Sequence, residues 1–312
     1  MTLEPQSQNI LQQFIELNLR PIPILSPQQA REQLATISGF YPPTIKCDRV
    51  ENLTIPSPSG NIPIRIYTPS ANTLLPVLVY FHGGGWVLGD LNMSDYTCRC
   101  LANDSKCIIV SVDYRLAPEH KFPAAVEDAY TAITWVSANA EAIGGDRDRL
   151  GVIGDSAGGN LAAAVSLMAR DKQTPALAIQ ILLYPVTHYN FNTESYQNFG
   201  NGKFGLTTEE MTWFWHHYLL DKNDGKNPYA SPLLAEDLTQ LPPALIITAE
   251  YDILRDEAEA YAHRLQQAGV SVHLKRYAGT IHAFIGLASV LDIGKQAITD
   301  INSVSYTHLT LP

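Results

Sequence analysis

The stretch that most constrains the fold is Leu150 to Leu161, LGVIGDSAGGNL. An apolar run, Leu150, Val152 and Ile153, enters Gly154-Asp155-Ser156-Ala157-Gly158, and an alanine-rich segment from Leu161 to Arg170 leaves it in helical spacing. That succession reads as strand, tight turn and helix, the context of a nucleophile elbow in which Ser156 stands exposed on a strained turn. Gly154 and Gly158 would remove side chains that collide with the neighbouring strand and helix. The helix starts just after Ser156, so its unpaired N–H groups and positive dipole end face any negative charge formed beside the hydroxyl. A phosphate-binding loop is excluded because no Lys-Ser or Lys-Thr pair follows the glycines. No Gly-x-Gly-x-x-Gly opens a helix elsewhere.

Around this centre the pattern alternates between strand and helix. VENLTI and IPIRIY flank Ser57-Pro58-Ser59-Gly60 as a β-hairpin. Pro76 to Phe81, Cys107 to Val112, Ile179 to Tyr184, Ala244 to Thr248 and Val270 to Tyr277 read as further strands, several of them continuous apolar runs of the kind buried on both faces. Helical spacing follows from Ala124 and again through Ala258, Tyr261, Ala262 and Leu265. The expected class is α/β, a mainly parallel sheet with helices on both faces. The strand Pro76 to Phe81 runs into His82-Gly83-Gly84-Gly85-Trp86, where three glycines leave backbone N–H groups free to approach a ligand. Asp252 follows one strand and His282 the last, so Ser156, Asp252 and His282 can meet at the carboxyl ends of strands in the order of the α/β-hydrolase triad. Glu250 and Asp256 are alternative acids; Asp252 lies closest to the strand end.

Two segments fall outside the alternation. Residues 1 to 40 carry two amphipathic helical patterns, the second opened by a Ser26-Pro27-Gln28-Gln29 capping box. Between Pro185 and Pro242 lies an aromatic-rich insertion with a second capping box at Thr207 to Glu210. An insertion between sheet strands lies at strand ends, so some of its rings are expected to line a substrate pocket. The adjacent His216 and His217 point about a hundred degrees apart on a helix and do not share an ion readily. Cys98-x-Cys100 is too tight for the usual zinc or redox pair, and with Cys47 and Cys107 it reads as reduced thiols. No metal is expected.

The 312 residues carry 31 acidic against 21 Lys and Arg side chains, a net charge of -10 with no basic stripe, which argues against a nucleic-acid or anionic-membrane partner. MTLEPQSQNI lacks the features of a signal peptide and no apolar run approaches membrane-spanning length, so a cytoplasmic enzyme without stable membrane association is expected.

HGGGW from His82 to Trp86, DYRLAPEHKFPAAVED from Asp113 to Asp128, GDSAGGN from Gly154 to Asn160 and AEYDILRDE from Ala249 to Glu257 together resemble the hormone-sensitive-lipase-like (bacterial family IV) carboxylesterases. The resemblance runs to about Ile298. It implies an α/β-hydrolase core at 46–185 and 242–302, with a helical cap from 1–45 and 186–241. Residue by residue, it implies Ser156 as nucleophile, His282 as general base and then acid, and Asp252 as the group orienting the imidazole. Gly84, Gly85 and Ala157 would form the oxyanion hole, with His82, Gly83, Gly154 and Gly158 as motif support. No cofactor is implied. The partner would be a small-molecule ester of short or medium acyl chain. An amidase or arylacetamide deacetylase is the alternative chemistry for the same triad, and a small-ligand receptor like those for gibberellin is a third reading, opposed by His282, which such receptors have lost. Relatives often pair at the last strand, so Val270 to Tyr277 is the edge a homodimer would use. The resemblance ends at 303–312, SVSYTHLTLP, which loses the amphipathic pattern and reads as an atypical, foreign tail that would shorten the last helix.

Overall fold

The structure, a computed structural model, describes residues 2–38 and 45–310. The stretch 39–44 of the expected cap and the last two residues of the atypical tail lie outside the described residues. Among the described residues, eight strands form one sheet: β1 (Arg49–Ile55), β2 (Ile62–Thr68), β3 (Leu75–Phe81), β4 (Ile108–Val112), β5 (Gly145–Asp155), β6 (Ile179–Leu183), β7 (Ala244–Tyr251) and β8 (Val272–Ile281). Their spatial order is β1-β2-β4-β3-β5-β6-β7-β8. The hairpin β1–β2 and the pair β2–β4 are antiparallel, and every other pairing is parallel. This is the mainly parallel α/β sheet that the sequence predicts.

The continuous apolar strands are explained by what covers them. In β3 every residue is buried: Val77, Val79 and Phe81 join one core, and Leu78 and Tyr80 the other. The first core is closed by α4 (Ala124–Asn139), α5 (Ala157–Asp171) and α8 (Arg255–Gln267), through residues such as Ala125, Leu161 and Leu265. The second is closed by α3 (Asp95–Ser105) and α9 (Asp292–Thr310), through Leu101, Ile298 and Ile301. Alternation along each strand thus feeds two helical layers.

The strand order also fixes where a site can form. From β3 the chain steps to β4 on one side and then returns to β5 on the other. The carboxyl ends of β3 and β5 therefore flank the point where winding reverses, which is where open α/β sheets leave a crevice. The glycine loop His82 to Trp86 follows β3, and Ser156 follows β5.

Outside the sheet, α1 (Pro5–Glu16) and α2 (Pro27–Ser38) precede β1, and the insertion between β6 and β7 carries α6 (Glu194–Phe199) and α7 (Thr208–Tyr218). Both predicted capping boxes form, with Ser26 and Gln29 bonded reciprocally and Thr207 and Glu210 likewise. Arg31 of α2 ties the amino-terminal segment to the core by donating to the Val87 and Ala117 carbonyls and to Glu119.

Two elements differ from the sequence reading. The last strand does not stop at Tyr277 but continues to Ile281, because a register shift lets Tyr251 pair with Ile281. Gly279, at φ +72°, takes the irregular position and its N–H donates to Glu250 Oε2 at 2.7 Å. The last helix is not shortened at Ser303: α9 runs on to Thr310, and Ile298, Ile301, Ser305 and Leu309 fall on its buried side. Their spacing of three and four is helical, with a serine where an apolar residue would fit. The Ser305 hydroxyl and the Asn302 amide are buried there without a hydrogen-bond partner.

Candidate active site

Ser156 stands between β5 and α5 at φ 54° and ψ −117°, a backbone conformation L-residues rarely adopt. Such strain persists only where neighbours over-determine it. Here the Ser156 N–H donates to Leu183 O at 2.9 Å, and its carbonyl accepts from Asn160 N at 3.0 Å and Val186 N at 3.2 Å. The flanking glycines are sterically required: a Cβ on Gly158 would lie 1.9 Å from Phe81 O of β3, and one on Gly154 would lie 2.2 Å from Gly158 O. The collisions the sequence reading anticipated, with strand and helix, are therefore the ones present.

His282 directly follows β8, so the extension of that strand to Ile281 carries it to Ser156. Its Nε2 lies 2.9 Å from Ser156 Oγ and its Nδ1 lies 2.7 Å from Asp252 Oδ2. With the carboxylate as acceptor, Nδ1 carries the proton and Nε2 is free to accept from the serine hydroxyl. Asp252 is buried, and its Oδ1 accepts from Leu254 N at 2.9 Å, which fixes the carboxylate plane. The edge of the Tyr184 ring packs against the imidazole, with centroids 5.0 Å apart. Neither alternative acid reaches His282: Glu250 accepts from Gly279 N, and Asp256 accepts from Ser195 N.

The glycine loop lies opposite. Gly84 O accepts from Val87 N and Leu88 N, which curls the loop, while the N–H groups of Gly84, Gly85 and Ala157 donate to no acceptor among the described residues. His82 is wholly buried, stacks on Tyr114 at 4.4 Å and donates from Nδ1 to Gly83 O at 2.8 Å. Burial pulls it down to about 4, so it is neutral and shapes the loop. The Phe214 ring of α7 packs on Gly85, where a Cβ would come within 2.2 Å of it. Trp86 stacks on Tyr218 at 4.1 Å and lies against Trp215 at 4.6 Å. Rings of the insertion thus pack against the glycine loop. His216 and His217 end α7, where their carbonyls accept from Lys121 Nζ.

Sequence reasoning missed three groups. Asp155 Oδ1 accepts from both Tyr80 Oη at 2.7 Å and Gly83 N at 2.9 Å, joining the glycine loop to the residue before Ser156. Burial pushes this carboxyl up, opposed by the two donors. Lys121 caps the carboxyl end of α7, and Glu257 on α8 holds the start of the insertion. Asp155 could have been found from its place inside the turn motif. Lys121 and Glu257 act across distances of 95 residues and 70 residues in the chain, and no local pattern announces them.

A family model described as alpha/beta hydrolase fold matches residues 78–286. The chain is 45% identical to the carboxylic ester hydrolase LipN of Mycobacterium tuberculosis, over 90% of this chain and 76% of that protein. It is 38% identical to an arylesterase of Saccharolobus solfataricus, over 92% of this chain and 93% of that one. Among solved structures, a hyperthermophilic esterase from the archaeon Pyrobaculum calidifontis is similar with a TM-score of 0.95 and 44% identity, covering 98% of this chain and 99% of the other. The chain belongs to the α/β-hydrolase fold family, in its hormone-sensitive-lipase-like branch. No helix among the described residues is long and apolar enough to cross a membrane.

Proposed function

We propose that this chain is a serine carboxylesterase acting on small esters of short and medium acyl chain through an acyl-enzyme. The observation that carries the reading is the unbroken line Asp252–His282–Ser156, with hydrogen-bond distances of 2.7 Å and 2.9 Å. Ser156 Oγ attacks the ester carbonyl carbon while His282 Nε2 takes its proton. The carbonyl oxygen becomes an oxyanion that accepts from the N–H groups of Gly84, Gly85 and Ala157. When the tetrahedral intermediate collapses, the C–O bond to the alcohol breaks and His282 returns the proton to the departing oxygen. Water then attacks the acyl carbon, gives a proton to His282, and the acid leaves as Ser156 regains its hydrogen. Asp252 keeps Nδ1 protonated throughout and stabilises the imidazolium that forms.

Of the segments expected to form the cap, residues 2–38 and 186–241 act as a cover over this site, and the rings against Gly85 and Trp86 limit the acyl chain. The outer position of β8 in the sheet supports a homodimer paired along that edge, and the four unpaired thiols suit a reducing cytoplasm.

Hydrolysis of p-nitrophenyl esters from acetate to palmitate tests the reading. Turnover is expected to peak among the short and medium chains and to fall by about 10⁴-fold or more in Ser156→Ala. A variant that keeps wild-type turnover would overturn the assignment.

A further inference from the structure

The loop that carries Asp252 leads into the first turn of α8, and two acids there reach away from the site to the insertion. Glu257 Oε1 accepts from Thr187 N at 2.7 Å and His188 N at 3.1 Å, and Thr187 Oγ1 donates back to Glu257 O at 2.8 Å. Asp256 Oδ2 accepts from Ser195 N at 2.7 Å, while Ser195 Oγ donates to Ile253 O at 2.6 Å, one residue past Asp252. Glu257 and Ser195 are buried.

The same piece of chain is fastened on its other side to the nucleophile. Val186 N donates to Ser156 O, and Asn160 Nδ2 donates to Val186 O at 3.0 Å and Ala230 O at 2.8 Å. The insertion therefore enters at Val186–His188 between the serine turn and the acid loop, bonded to both.

Burying an acid costs stability unless its polar atoms are fully hydrogen-bonded. Glu257 Oε2 is buried without a partner. Burial pushes the carboxyl well above its usual range, opposed by the Thr187 and His188 donors and reinforced by the charges of Asp252 and Asp256, which favours the protonated form. A neutral Glu257 can bind two amides without setting a second charge beside Asp252.

We infer that Glu257 and Asp256 are positioning residues that join the root of the insertion to the loop bearing Asp252, so that the wall of the substrate site and the carboxylate–imidazole alignment are held as one unit. The inference rests on the reading of Asp252 as the acid that orients His282.

The test uses full-length Glu257→Ala, Glu257→Gln and Asp256→Ala, with kcat and KM for p-nitrophenyl acetate expressed per site labelled to completion by a fluorophosphonate. Misalignment of a catalytic group by about an ångström costs about a hundredfold. Glu257→Ala is expected to lose between about 10-fold and 100-fold in kcat with KM within about threefold. Glu257→Gln, whose amide oxygen still accepts from Thr187 and His188, recovers most of that loss, and Asp256→Ala falls between the two. A kcat per site equal to wild type in Glu257→Ala, whether or not KM or melting temperature moves, overturns the inference. If Glu257→Ala does not fold, Asp256→Ala, which removes the acceptor of the Ser195 N–H, decides by the same criterion. A wild type inactive on every ester, or a Ser156→Ala that stays active, would instead overturn the proposed function.

Discussion

The turn around Ser156 and the wall around Trp86 sit within one site but are held by different forces. In the turn, backbone atoms approach so closely that a single Cβ on Gly158 would meet a carbonyl at 1.9 Å, so residue identity is dictated by covalent geometry. In the wall, Phe214, Trp215 and Tyr218 pack face and edge on the glycine loop, and many apolar shapes could fill the same volume. Under the proposed function, the turn would govern whether chemistry occurs and the wall which ester is chosen.

That division can be broken in graded steps. Gly84→Ala places a Cβ 2.3 Å from Leu88 O at a residue with φ +107°, so the loop must shift and its donors leave the oxyanion. The expected loss is about 10²-fold to 10³-fold in kcat, measured on p-nitrophenyl butyrate. A kcat within twofold of wild type would show that this loop does not bind the oxyanion. Phe214→Leu should act on selectivity: the ratio of kcat/KM for decanoate over acetate is expected to rise by about 10-fold, the low end of what one methylene of pocket space is worth. An unchanged ratio with reduced kcat would move Phe214 from the wall to the chemistry.

The smallest expected effect concerns the joint between the two regions. Glu257 holds its proton to higher pH in the folded chain than the ordinary value of 4.5 for the unfolded one. The unfolded state then binds fewer protons as pH rises above that value, so this group's contribution to stability is lost toward its raised native value. Glu257→Gln does not titrate. Its melting temperature relative to wild type should therefore climb from about pH 5 to about pH 8, read by thermal unfolding. A flat difference would mean that the native carboxyl is ionised.

The regions also differ in how legible they were. The turn, the glycine loop and the strand-ending positions of Asp252 and His282 could be read from the sequence because each depends on local chain geometry. The hairpin at Ser57 to Gly60 and the capping boxes were legible for the same reason. The continuation of β8 through Gly279 was not, since the glycine reads as a loop until the pairing of Tyr251 with Ile281 is seen. The end of α9 is not legible either, because Ser305 occupies a buried helical position without an apolar side chain. The bonds of Glu257 to Thr187 and of Lys121 to α7 join distant segments, and only the folded chain brings them together.

The central claim, that Ser156 is the nucleophile driven by His282, is tested most directly by intact-protein and peptide mass spectrometry after treatment with diisopropyl fluorophosphate. The account predicts one adduct per chain, located on Ser156, formed in step with the loss of ester hydrolysis and slowed by about 10³-fold or more in His282→Ala. An adduct on another residue, or full ester hydrolysis by a chain fully labelled at Ser156, would contradict it.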